Sequence, residues 1–66
     1  MSDYNETKMY CVELREVEAW ALAQFLKPTT HQDCRKVATT DTEAYLMMDG
    51  LNTLLRGLAE EGVNPR

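Results

Sequence analysis

The hydrophobic positions of this chain fall into blocks of different period. In "KMYCVEL", residues 8–14, Tyr10, Val12 and Leu14 alternate with Met9, Cys11 and Glu13. A period of two in β-favouring side chains predicts a half-buried strand, the only one in the sequence. From residue 15 to 27 the period becomes helical. Leu14, Val17, Ala21 and Phe25 fall on one face, and Ala19, Leu22, Ala23 and Leu26 on the next. Only a narrow polar strip is left, made of Glu16, Gln24 and Lys27, with Trp20 in its middle. Pro28 ends this helix, because the residue before a proline avoids helical geometry. Arg15 is a weak N-cap for its start. Residues 30–38 read as a short helix capped by Thr30 or as a loop with one helical turn. In "TDTE", Thr40 is an N-cap with Glu43 three residues on, a capping box that predicts a helix over 41–61. Ala44, Met47, Met48, Leu51, Leu54, Leu55 and Leu58 share one arc of it, with Tyr45, Asp49, Asn52, Arg56 and Glu60 opposite. Gly62 fits the left-handed position after that helix, which brings Val63 back against Leu58.

The pattern predicts a mainly α fold: one N-terminal β-strand followed by two or three helices (β-α-(α)-α), a helical hairpin. Residues 1–7 form a flexible tail and residues 8–66 a single domain. The first helix then poses a problem of area. A helix apolar nearly all round is buried on most sides, and the helix over 41–61 covers only one of them. An indole left in water forfeits roughly 2–3 kcal/mol of burial. Either Trp20 is half covered by the N-terminal tail, or it meets a second subunit. The lone strand points the same way, since two copies pair antiparallel across a twofold axis and satisfy each other's backbone. A homodimer is therefore expected. Its interface residues are Trp20, Glu16, Ala23, Gln24 and Lys27 on the first helix and Tyr10 and Val12 on the strand. Gly50 and Gly57 join them on the flank of the third helix, near Leu46. Each glycine costs roughly 1 kcal/mol against alanine in a helix, so a closely approaching backbone is one reason for it and tolerance is the other.

Composition limits this picture. Of the 66 residues, 44% are hydrophobic and 27% charged, the balance of a folded chain. A domain this small buries only about 60% of its unfolded surface, so it commonly leans on a staple or a partner. A formal net charge of −4 argues against nucleic acid as a partner, since binding there needs a basic surface. The longest apolar run is Ala19 to Ala23, too short to span a membrane, and the polar stretch from Met1 to Lys8 is no secretory signal. The expected location is the cytoplasm of a bacterial host, with Cys11 and Cys34 as free thiols.

Candidate chemistry is sparse. His31, Asp33 and Cys34 are the only cluster of ligand-type side chains, and His31 with Cys34 gives two ligands where a structural zinc wants four. No oxyanion hole or cleft accompanies that pair, and no glycine-rich phosphate loop or metalloprotease signature occurs. Glu13, Glu16 and Glu18 suit the positive end of the first helix dipole. No enzyme activity, cofactor, metal or small-molecule substrate is expected. A strand followed by two helices resembles a ribbon-helix-helix regulator, the alternative function. In that family the outward strand residues are basic or polar, whereas here Met9, Cys11 and Glu13 stand opposite Lys8.

Three further blocks carry a resemblance: "EAWALAQFLK" at 18–27, "EAYLMMDGL" at 43–51 and "LAEEGVNPR" at 58–66. Together they resemble a family of short, uncharacterised proteobacterial proteins found on prophages, plasmids and integrative elements. Arg15 stands where that family commonly has a threonine cap, and Pro28 where it has a basic residue. The resemblance implies an accessory protein of a mobile element that binds one host or competitor protein. An inhibitor of a CRISPR-type defence complex is one form of that role, since such inhibitors are often similarly small and acidic.

Overall fold

The computed structural model describes residues 7–64, so residues 1–6, most of the predicted tail, lie outside the described residues, as do 65–66. Three helices make up the fold: α1 (Glu16–Leu26), α2 (His31–Val37) and α3 (Asp41–Glu60).

Each helix start is fixed by a carboxylate one turn in. Arg15 has the extended backbone of an N-cap and no side-chain acceptor to offer. Glu18 compensates, because its Oε1 accepts the Arg15 backbone N–H at 2.9 Å and its Oε2 takes the guanidinium at 3.1 Å. At α2 the exchange is reciprocal. Thr30 Oγ1 accepts the Asp33 N–H at 3.3 Å, and Asp33 Oδ2 accepts the Thr30 N–H at 2.9 Å. The segment predicted as either helix or loop is thus a helix, set by a full capping box. At α3, Thr40 Oγ1 accepts the Glu43 N–H at 3.1 Å, but Glu43 Oε1 reaches one residue further back, to the Thr39 N–H at 2.7 Å. Half of the predicted box is formed there, and its other half serves the residue before the cap.

The helix ends differ. Pro28 has no N–H to continue α1, and the Thr29 N–H turns back to the Leu26 carbonyl at 3.0 Å. Between α2 and α3, Arg35 clamps the turn. Its Nε donates to Asp41 at 2.6 Å and its Nη1 to the Ala38 carbonyl at 2.9 Å. At the end of α3, Gly62 adopts φ 95°, the one positive φ among the described residues. The Val63 N–H bonds the Leu58 carbonyl at 2.8 Å and the Gly62 N–H the Ala59 carbonyl at 3.0 Å. This is the Schellman arrangement expected from the sequence.

Residues 8–14 depart from expectation: they form no strand. A ladder needs a second extended segment, and the rest of the described chain is helix and short turns, so nothing among the described residues pairs with them. They run exposed, with Lys8 Nζ 5.2 Å from the Tyr10 ring. The homodimer in which this strand was to pair is accordingly no part of the fold described here.

Packing occurs in two separate clusters. In one, Ala19 and Ala23 of α1 meet Val63, with Trp20, Leu55 and Leu58 around them. In the other, Cys34 and Ala38 meet Ala44, with Met47 and Met48 alongside. Alanines let the helix backbones come close, and the flexible methionines fill what remains. No large side chain among the described residues is fully buried. The core is therefore thin, as size scaling anticipates.

Two measurements follow from this anatomy. A Cβ at Gly62 would touch nothing within 4 Å, so the cost of alanine there is the left-handed backbone alone. Gly62→Ala is expected to lower urea stability by about 1–2 kcal/mol. Glu18, Asp33 and Glu43 each accept a backbone N–H, and this hydrogen bond holds each pKa below the ordinary carboxylate range. The folded pKa lies below the unfolded one. Their stabilisation is therefore complete above about pH 4–5 and is lost as pH falls through the lowered folded values. Thermal melts should stay level from neutral to mildly acidic pH and drop below about pH 4, with a shallower drop in Glu43→Gln.

Candidate functional site

Two apolar grooves open beside α1, and Leu54 lines both. The first has a volume of about 470 Å³ and lies between residues 8–14, α1 and the end of α3. Val12 and Leu14 form one wall, Ala19 and Trp20 the floor, and Leu54, Gly57, Leu58 and Val63 the other wall. Glu16 and Glu61 bring two carboxylates to it, and no lysine, arginine or histidine lines it.

Four of the residues singled out in the sequence meet here: Val12, Glu16, Trp20 and Gly57. Trp20 does not stand free in a polar strip. It is half-buried and packed against the Ala19, Ala23 and Val63 cluster. The pattern of α1 offered the indole either the N-terminal tail or a second subunit; in the fold the turn at Gly62 brings Val63 into the cluster that Trp20 packs against. Ala23 is fully buried behind that contact, so its side chain is interior in the single copy. Gln24 and Lys27 are exposed on α1 and line neither groove, and Tyr10 is exposed on the N-terminal segment. Gly50 belongs to the second groove.

That second groove, of about 620 Å³, lies between the end of α1, α2 and the middle of α3. Leu26, Cys34, Met47, Leu51 and Leu54 line it together with Phe25, Val37 and Leu46, and those last three are strongly exposed. Sequence reasoning did not place these three in a site. Phe25 lay on a face assigned only by period, and Val37 sat in a segment of undecided structure.

The titratable and thiol groups are dispersed. The His31 ring stacks on Tyr45 with centroids 4.4 Å apart, and its Nε2 is buried without a hydrogen-bond partner. Cys34 is a buried thiol and Cys11 an exposed one. Among the described residues no three His, Cys, Asp or Glu side chains converge as metal ligands. No helix among them is long and apolar enough to cross a membrane.

These features define a small three-helix protein with a divided core and two open apolar grooves. The whole chain, residues 1–66, matches the family of unknown function DUF7706, and the protein belongs to that family. Neither a curated protein nor a solved structure matches it.

The glycines give a direct test of whether the grooves matter to folding. At Gly50 and Gly57 a Cβ would meet nothing within 4 Å, so no contact inside the chain requires glycine at either. Gly50→Ala and Gly57→Ala should each raise stability by up to about 1 kcal/mol in denaturant titrations. A loss of stability would show that the helix itself depends on them.

Proposed function

We propose that the protein is a non-enzymatic, protein-binding accessory factor that receives its partner in the groove beside Trp20. The observation that carries this reading is the pairing of an apolar floor with an open backbone segment. Ala19 and Trp20 offer the floor, Leu54 and Leu58 one wall, and the segment with Val12 and Leu14 forms the other side without a ladder. An extended segment of another protein adds main-chain hydrogen bonds to such an edge and drops alternate side chains into the groove. Glu16 and Glu61 favour an occupant with a lysine or arginine between its apolar residues. A chain of net charge −4 suits a basic protein surface better than a phosphate backbone.

The sequence resemblance to proteins of prophages, plasmids and integrative elements supports a mobile-element setting. In that setting the bound protein belongs to the host or to a competitor, and a CRISPR-type defence complex is a candidate. The regulator reading gains nothing from an acidic chain whose segment 8–14 is unpaired.

Trp20 is the only tryptophan, so it reports on its own groove. A photo-crosslinking residue at Glu16 is expected to capture a protein in cells. The purified pair should shift Trp20 emission, and Gly57→Leu, which fills the groove, should weaken binding by at least about tenfold. Crosslinking to nucleic acid, or binding untouched by Gly57→Leu, would sink this reading.

A further inference from the structure

We propose that the groove beside Trp20 takes an arginine of the partner protein as its anchor, with the guanidinium held between the carboxylates of Glu16 and Glu61 and against the indole. This rests on the reading of that groove as a docking site and names the side chain that enters it.

The first argument is charge left unspent. Four carboxylates on the described helices are engaged within the chain. Glu18 pairs with Arg15 at 3.1 Å and Asp41 with Arg35 at 2.6 Å, while Asp33 and Glu43 accept the backbone N–H groups of Thr30 and Thr39. Glu16 and Glu61 form no ion pair among the described residues, and both open on the same groove. No cationic side chain lines that groove, so the matching charge comes from outside.

The second argument is the end of α3. This 20-residue helix carries no basic side chain in its last turn, so the partial negative charge at its C-terminal end is unmatched. Gly57, Leu58, Glu61 and Gly62 of that end line the groove. Glu61 thus stands where the helix itself already favours a cation. Glu16 differs, because it lies in the first turn of α1, whose positive end offsets part of its charge. Glu61 is therefore the stronger of the two contacts.

The third argument selects arginine over lysine. The two carboxylates come from different elements, and one incoming group has to serve both. A guanidinium carries five N–H donors around a flat rim, so its edges donate to carboxylates while its face lies on a ring. Trp20 supplies the ring: it is half-buried, packs on the Val63 cluster and lines the groove. Tryptophan is the best of the aromatic side chains at holding a cation. The walls are apolar, and a weakly hydrated guanidinium enters such surroundings more readily than a strongly hydrated ammonium.

The probes are capped tripeptides, acetyl-Val-Arg-Val-amide and its lysine and citrulline counterparts, titrated into the full chain at low salt. Trp20 gives the single indole N–H resonance by which NMR follows the groove. The arginine peptide is expected to bind about fivefold tighter than the lysine peptide and about tenfold tighter than the citrulline peptide, which keeps the shape and loses the charge. Glu61→Gln, and to a smaller extent Glu16→Gln, should remove that advantage with unchanged helicity by circular dichroism. Glu60→Gln, an exposed neighbour that does not line the groove, should leave it intact. Binding of no peptide, equal binding of the arginine peptide and either counterpart, or an equal loss in Glu60→Gln would each overturn the proposal. The docking reading fails separately. A cellular partner weakened by Gly57→Leu but indifferent to Glu16→Gln and Glu61→Gln would keep the groove and remove the arginine from it.

Discussion

Everything on the α1 side of this protein depends on one valine. Val63 lies beyond α3, on a stretch that would trail into solvent if the backbone continued straight. Gly62 takes a left-handed conformation instead, and Val63 folds back onto Ala19 and Ala23. Burial of a valine contributes on the order of 1.5 kcal/mol or more. Here it also joins the end of the sequence to the first helix and gives Trp20 a floor to rest on. Without that return, α1 would keep fewer contacts with α3, and the groove beside Trp20 would lose one of its walls.

The other half of the molecule is held locally. α2 and α3 follow each other across a short turn that Arg35 ties to both Asp41 and the Ala38 carbonyl. Their cluster of Cys34, Ala38 and Ala44 shares no buried residue with the first. Small side chains bring the backbones close but bury little area apiece, so capping carries a larger share of the specification than in a bigger domain. This explains why all three helices carry a carboxylate at the third position.

Much of this was legible in the residues. The Thr30 and Thr40 caps, the arc from Ala44 to Leu58 on α3 and the Gly62–Val63 ending follow from local rules, and local rules need no knowledge of the rest of the fold. What the pattern could not reveal was which face of α1 turns inward. Its two apolar faces are equivalent by period, and the choice falls to Ala19 and Ala23 because only small residues admit Val63. Val17 and Phe25 are left outside as a result, and the surplus apolar surface moves from Trp20 to them. The alternation in residues 8–14 signals an extended chain well enough. It carries no information on whether a partner lies within reach, and among the described residues none does. Of the candidate site, Val12, Glu16, Trp20 and Gly57 were identifiable beforehand. Phe25, Val37 and Leu46 were not, because a groove made by three helices depends on their relative placement.

The Schellman ending has a practical side for anyone handling the protein. Val63 packs on Ala19 and Ala23 and also lines the groove beside Trp20. A bulkier side chain or a chemical label placed at that position would strain the contact with α1 and narrow the groove at the same time. Changes at Val63 therefore mix two effects that changes on the opposite wall, at Val12, keep apart.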